Sequence, residues 1–302
     1  MPCFHPIRAW YPEKNSGVKT LIFQYNPLKS PKIDGDLQVP CGQCIGCRLE
    51  RSRQWAVRCM HEAQLHKDNC FITLTFSPEA LAERKNPMSV DVRDFQLFMK
   101  RLRKKYGEGI RFYHCGEYGE KSSRPHYHAC LFGFDFADKR LWKITNGSRL
   151  YTSESLSELW SYGFSTIGDV TFESAAYVAR YIMKKINGEQ AENHYYDRET
   201  GEVINPEYTT MSRRPGIGRG WLDKYVADVY PHDYVVVNGI KCKPPKYYDG
   251  VLSTDRPYEF DEIKNNRLTR AEKHVDNNTP DRLDVRERVS KARLKLLPKN
   301  LD

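Results

Sequence analysis

Residues 110–134, IRFYHCGEYGEKSSRPHYHACLFGF, read as two strands joined by the polar loop EKSSR. His126 and His128 are separated by one residue and followed by alternating apolar residues, so both should project from one face of the second strand. Two imidazoles placed in this way can bind one divalent ion. An isolated His-x-His is more often a pair of ordinary half-buried histidines, so its neighbours decide the reading. Glu117 lies just before the loop, where an antiparallel partner strand would bring its carboxylate alongside the histidines. By itself it reads as a loop carboxylate that caps or is solvated. Two imidazoles and one carboxylate together leave positions open for substrate oxygens, and suit a Mg²⁺ or Mn²⁺ ion working on phosphate.

Working outward, CFITLTF at 70–76 reads as a core strand. SVDVRDFQLFMKRLRKKYG at 89–107 reads as a helix, with Val92, Phe95, Phe98, Met99 and Leu102 on one face and Gly107 at its end. Downstream come a helix at SESLSELW, a strand at GFSTIGDV and a helix at TFESAAYVARYIMKKINGE. The order β, α, β, β, α, β, α predicts an α+β fold, a ferredoxin-like antiparallel sheet covered on one face by helices. We expect three regions: a cysteine-containing segment at 1–65, a core at 66–190 and an extension at 191–302. The first holds a strand at VKTLIFQY and an amphipathic helix at RLERSRQWAVRCMHEAQLH. The last holds the turn-rich RRPGIGRG, a helix at WLDKYVADVY, a hairpin around Asn238 and Gly239, and a charged, partly helical end.

Tyr177 and Tyr181 stand four apart on the predicted helix YVARYIMKK and share a face, with Arg180 and Lys184 each three residues further on. A tyrosine stripe usually means core packing. A free phenol, with a pKa of about 10, is a poor nucleophile at neutral pH unless a metal polarises its target and cations stabilise charge. A metal at Glu117, His126 and His128 together with Lys184 would supply both. That combination is far more specific than any of its parts.

The 302 residues carry 48 Lys plus Arg against 39 Asp plus Glu, a net charge of +9 that favours a polyanionic partner. No signal peptide and no run of about 18 apolar residues is present, which points to a soluble, unsecreted protein with no membrane partner. Nine cysteines, an odd number, read as thiols or metal ligands and not as a disulfide framework. Cys41, Cys44 and Cys47 form CxxCxxC, a candidate structural zinc site whose fourth ligand could be Cys3, His5, Cys59 or His61; free thiols are the alternative. Cys70, Cys115, Cys130 and Cys242 read as buried strand residues. The basic face Lys100, Arg101, Arg103, Lys104 and Lys105 could track DNA or simply be solvated, while GIGRG with Arg213, Arg214 and Arg219 reads as a phosphate-approaching loop. No GxxxxGK[ST] is present to indicate a fused ATP-driven helicase.

At CGQCIGCRLERSRQWAVRC, FITLTFS, EYGEKSSRPHYHACLFGF, AAYVARYIMKK and RRPGIGRGWLDKY, the chain resembles HUH-class rolling-circle replication initiators, in particular those of gokushovirus-type microviruses, small single-stranded DNA phages. Tyr127 occupies a position where the class name implies a bulky apolar residue. The resemblance implies the HUH endonuclease fold and a two-tyrosine enzyme acting on single-stranded origin DNA in the cytoplasm of a bacterial host. One tyrosine would attack the scissile phosphate, leaving a 5′-phosphotyrosine link and a 3′-OH for host polymerase and helicase to use, and the other would cut the regenerated origin and reseal the circle. Two alternatives stand beside it. One is a non-catalytic origin-binding or packaging protein; the other is a metal-dependent nuclease that uses water.

Overall fold

Both alternating sets of side chains in the central strands are apolar, so both faces of the sheet they form require cover. The computed structural model describes residues 3–295 except 19, 120–122, 146, 182–193 and 197–200. They fall into two compact units, Met1–Arg51 with Lys264–Lys299, and Ser52–Ile263.

In the first unit β1 (Ile7–Pro12) pairs antiparallel with β2 (Ile33–Val39), with Ile7 opposite Val39 and Trp10 opposite Asp36. The strand expected at VKTLIFQY does not form; that stretch contributes a single bridge, Ile22 to Trp10. Val18 and Phe23 stay exposed, at 40% and 53%, so the stretch lacks a fully apolar face to bury. The helix α1 (Ile45–Ala63) begins in this unit, and near the other end of the chain Glu287, on the helix Pro280–Lys295, bonds His5 at 2.9 Å.

The second unit is built on a seven-stranded sheet: β3 (Asn69–Thr75), β4 (Arg111–Tyr118), β5 (Pro125–Phe132), β6 (Arg140–Thr145), β7 (Ser148–Thr152), β8 (Ser165–Gly168) and β9 (Tyr208–Met211). The spatial order is β6-β7-β8-β3-β5-β4-β9, and every neighbouring pair is antiparallel. The hairpin β6–β7 and the edge strand β9 were not anticipated from sequence. Leu141, Trp142 and Ile144 are exposed on β6, so the strand lacks the half-buried alternation that would announce it.

Helices cover both faces of the sheet, which corrects the expectation of one covered face. Against Ile72, Leu74, Tyr127, Ala129 and Leu131 lie α2 (Pro78–Ala82), through Leu81, α3 (Val92–Tyr106), through Phe95, Phe98, Met99 and Leu102, and α4 (Glu154–Leu159), through Leu156 and Leu159. Against Phe71, Tyr113, Cys115, Cys130 and Phe132 lie Ala56 and Cys59 of α1 and Ala175, Tyr177, Val178 and Ala179 of α5 (Phe172–Tyr181). The crossover helices α3 and α4 thus share one face as expected, while α1 and α5 fill the other because Phe71, Cys130 and Phe132 are as apolar as their neighbours. Asp91 caps α3 by accepting from the Arg93 amide, and Gly107, at φ +95°, ends it.

The side of α1 that carries Val57 packs on Leu222 and Val229 of the helix Arg219–Val229 and on Tyr248 and Leu252 of the helix Lys246–Asp255. Here His61 is fully buried, stacked 3.5 Å from the Trp221 ring and bonded through Nδ1 to the Tyr248 hydroxyl at 2.8 Å. The hairpin expected at Asn238 and Gly239 forms, both residues having positive φ as a two-residue turn demands.

Burial holds His61 at about 3, below the ordinary 6.5, so protonation favours the unfolded chain. Its contribution is complete above about pH 6.5 and is lost as the pH falls toward 3. At about pH 5 the loss amounts to as much as about 2 kcal/mol. Denaturation midpoints should therefore fall between neutral pH and about pH 5, and His61→Phe should flatten that dependence; an unchanged slope would refute the assignment.

Candidate functional site

Register decides which side chains meet. In the β4–β5 pair Glu117 lies opposite His126 and Cys115 opposite His128; in the β3–β5 pair Thr75 lies opposite His126 and Thr73 opposite His128. Directly opposed residues share a face with Cβ atoms about 4.5–5.5 Å apart. Glu117, His126, His128, Thr73 and Thr75 therefore occupy one patch, on the face covered by α1 and α5.

His128 is nearly buried, and its Nε2 lies 2.7 Å from Glu117 Oε1 while its Nδ1 lies 3.0 Å from Thr73 Oγ1. The hydroxyl of Tyr177 donates to the same Glu117 oxygen at 3.4 Å. The Tyr177 ring meets the His128 ring edge-on at 5.1 Å, and Phe71 stacks on that imidazole at 5.8 Å. His126 is half-buried. The small residues Ala175 and Ala179 and the buried Val178 bring α5 close enough to the sheet for Tyr177 to reach this carboxylate. The Arg180 guanidinium lies 5.9 Å from the Tyr177 ring. Tyr181 is the last residue of α5, and its side chain, like the whole of Lys184, lies outside the described residues.

The roles of two hydroxyl groups escaped the sequence reading. Thr73 sits one strand away from His128, and its hydroxyl can either donate or accept, so it can hold Nδ1–H in place when Nε2 is needed as a lone-pair donor. Tyr127, between the two histidines, points to the other face, where its hydroxyl meets Asp94 Oδ2 at 2.7 Å and accepts from the Asp91 amide at 2.8 Å. It fastens the histidine strand to the start of α3. Only residue spacing across strands could have revealed either group, and a single sequence does not contain it.

The loop RRPGIGRG is held from within by charged side chains. Arg111 Nη2 donates to the Pro215 carbonyl at 2.7 Å, Arg58 Nε to the Ile217 carbonyl at 3.0 Å, and the Gly218 amide to Glu62 Oε2 at 2.7 Å, while Arg111 also pairs with Glu62. Arg213 and Arg214 are exposed, whereas Arg219 is engaged by Asp223 at 2.7 Å and Asp255 at 3.0 Å. On α3, Lys100 and Lys104 are exposed, but Arg101 donates to the Leu159 carbonyl, Arg103 to the Ile110 carbonyl, and Lys105 pairs with Glu158. That helix covers the sheet face opposite the histidines.

In the first unit the ligand atoms of Cys3, Cys41, Cys44 and Cys47 all lie within 4.8 Å of one another, and together they could hold a metal such as zinc. Cys59 is instead buried against the sheet, His61 is bonded to Tyr248 and His5 to Glu287, which leaves Cys3 as the fourth member of the set. Cys70, Cys115 and Cys130 are buried on strands as expected, and Cys242 is half-buried. No helix among the described residues is long and apolar enough to cross a membrane.

An antiparallel α+β domain bearing paired histidines, a buried carboxylate and a tyrosine helix on one face is the part of the chain that a known family covers. Residues 69–186 match the family model for the replication-associated protein ORF2/G2P. The replication-associated protein VP4 of Bdellovibrio phage phiMH2K is 34% identical over 270 residues, spanning 86% of this chain and 80% of that protein. The replication-associated protein ORF2 of Spiroplasma virus 4 is 35% identical over 286 residues, spanning 88% and 86% respectively. The replication-associated protein ORF4 of Chlamydia phage 1 is 28% identical over 246 residues, spanning 76% and 59%. The chain belongs to the replication-associated protein family of the microviruses. No solved structure matches it.

Gly116 lies opposite Tyr127 and immediately before Glu117; a Cβ there would come within 2.7 Å of the Tyr208 ring and 3.1 Å of the Tyr127 ring. Gly116→Ala should therefore destabilise the protein by about 1–3 kcal/mol through overpacking. Chemical denaturation reads this directly, and a variant as stable as the parent would show that the two rings can yield.

Proposed function

We propose that this chain is an HUH-class nicking and joining enzyme that initiates rolling-circle replication on single-stranded origin DNA inside the bacterial host. The observation that carries the reading is the shared oxygen: Glu117 Oε1 meets His128 Nε2 at 2.7 Å and the Tyr177 hydroxyl at 3.4 Å, which puts a candidate ligand and a candidate nucleophile side by side. Among the four central strands of the seven, the order β8-β3-β5-β4, with α3 and α4 on one face, supports a ferredoxin-like core of the kind that HUH nucleases use. Membership of a replication-associated family supports DNA as the partner.

Two imidazoles and a carboxylate are a fitting donor set for Mg²⁺ or Mn²⁺, with Glu117, His126 and His128 as its holders. Such an ion, when bound, polarises the scissile phosphate and offsets the charge that builds on it. Thr73 holds the His128 ring, and Glu117 accepts from the phenol and aims Tyr177. In the chemical step a tyrosine oxygen bonds to phosphorus as the P–O3′ bond breaks. The phenol's proton ends on the departing 3′ oxygen, so a 5′-phosphotyrosine and a 3′-OH result. No bond energy is lost to water, and attack by a 3′-OH on that ester rejoins the strand. Tyr177 and Tyr181, one helical turn apart, alternate as nucleophiles, with Lys184 assisting. The free 3′-OH serves host polymerase and helicase.

Incubation with circular single-stranded origin DNA and Mn²⁺, followed by a denaturing gel, tests this reading. We expect a metal-dependent protein–DNA adduct that is lost in the Tyr177→Phe, Tyr181→Phe double variant, and a fall of about tenfold or more in metal affinity for Thr73→Val. Cleavage with no adduct, indifferent to both tyrosine changes, would establish a water-using nuclease instead. Binding with no cleavage at all would establish an origin-binding protein.

A further inference from the structure

We infer that Cys3, Cys41, Cys44 and Cys47 form a closed tetrahedral zinc site whose work is structural. The sequence places three of these thiols at intervals of three residues; the fold adds Cys3, which stands 38 residues before Cys41. Cys3 Sγ lies 3.7 Å from Cys41 Sγ and 3.9 Å from Cys44 Sγ. Four sulfurs at a Zn–S distance of about 2.3 Å form a tetrahedron with edges of about 3.8 Å, whereas a disulfide would bring two of them to about 2.05 Å. The surroundings suit thiolates. Backbone amides of Phe4, Cys41 and Cys44 each donate to a cluster sulfur at 3.3 Å, and Cys47 sits in the first turn of α1, where the helix end favours negative charge. Gly42, at φ +75°, turns the chain between Cys41 and Cys44.

The need for a metal follows from how little else is buried there. The buried hydrophobic residues of this unit, among those described, are Cys3, Phe4, Ala9, Cys47 and Leu283. So small a core seldom sustains a fold without a metal or a covalent staple. Four thiolates leave no open position for a substrate, which separates this site from the histidine patch in chemistry as well as in sequence.

Elemental analysis of the purified full-length protein should find one zinc per chain, retained in Cys242→Ser and lost in Cys3→Ser and in Cys44→Ser. Because those cluster variants could misfold, the second measurement uses the unaltered protein. Zinc should leave together with the exposure of four thiols to a thiol reagent, and Co²⁺ refilling should produce the sulfur-to-cobalt charge transfer of a tetrathiolate. Absence of zinc together with absence of the cobalt signature would overturn the site. Full zinc retention in Cys3→Ser would overturn the assignment of the fourth ligand.

A separate observation concerns the exposed rings at the β6 edge. Thr75 donates both its amide, at 3.0 Å, and its hydroxyl, at 2.8 Å, to the Phe164 carbonyl, so Phe164 continues the cross-sheet row Glu117, His126, Thr75. At a strand spacing of about 4.8 Å, it stands about 10 Å from His126. Phe164 and Trp142 are each 48% exposed and pack at 4.9 Å, with the Lys143 ammonium 4.5 Å from the Trp142 ring centre. The strands RLWKIT and SRLYT carry Arg140, Lys143 and Arg149 and no carboxylate. Exposed rings flanked by cations suit unpaired bases on a phosphate backbone. We propose that Trp142 and Phe164 stack bases of single-stranded DNA one or two nucleotides from the scissile phosphate, a reading that rests on the nicking site proposed above.

Binding of a fluorescent single-stranded oligonucleotide with no Mg²⁺ or Mn²⁺ added reads the platform without the chemistry. Trp142→Ala and Phe164→Ala should each weaken it by about fivefold or more, Trp142→Phe should restore most of it, and duplex binding should change little. If adducts form normally while both alanine variants bind and nick like the parent, the platform falls and the nicking site stands. If no adduct forms in the parent yet the variants still bind weakly, the platform stands alone. A change of oligomeric state in place of a change in DNA affinity would assign the face to a second copy of the chain and overturn the proposal.

Discussion

The antiparallel registers of β5 with β4 and with β3 are the constraint on which the site depends. Hydrogen-bonded strands admit only shifts of whole residues, and a shift of one would exchange the faces of the strand. With Glu117 opposite His126 and Thr73 opposite His128, every polar group of the patch points one way, and the apolar Ala129 and Leu131 point the other. The slip is opposed from both sides. Tyr127 would lose its bonds to Asp94 and Asp91, and His128 its bonds to Glu117 and Thr73.

That division explains why a polar cluster can exist in so apolar a sheet. The face toward α3 is packed with Phe95, Phe98, Met99, Leu102 and Trp160. The opposite face is packed as tightly at one end, by Tyr113, Cys130 and Phe132 against α1, and becomes polar toward Glu117 and His126. The site thus lies on the end of a strand pair whose remainder is a rigid core, and an assembly of imidazoles and a carboxylate needs such support to keep its geometry.

Buried charge elsewhere follows the same economy of pairing. Glu62, 3% exposed, is satisfied by Arg111 and by the Gly218 amide, and Arg58 lies between the Trp55 and Tyr247 rings at 4.0 and 3.9 Å. Removing either partner would leave a charge stranded, which is costly. The network presents Arg213 and Arg214 outward on a loop that follows β9 and leaves the sheet beside Tyr113, about 13 Å along β4 from Glu117.

Local pattern in the sequence determined the core strands, the amphipathic α3 with its Gly107 stop, the tyrosine helix and the turn at Asn238 and Gly239, because periodicity and turn chemistry are properties of neighbouring residues. It also placed His126 and His128 on one side of a strand, since that follows from a period of two. Tertiary structure alone decided what comes together from afar. It chose Cys3 to complete the thiol cluster, set Thr73 against His128, covered the second sheet face with α1 and α5, and engaged Arg219 with Asp255. It also denied a strand to VKTLIFQY and granted one to the poorly patterned β6 and β9. Strand pairing and ligand completion depend on partners tens of residues away, and the free energy that selects them arises only when those partners are packed.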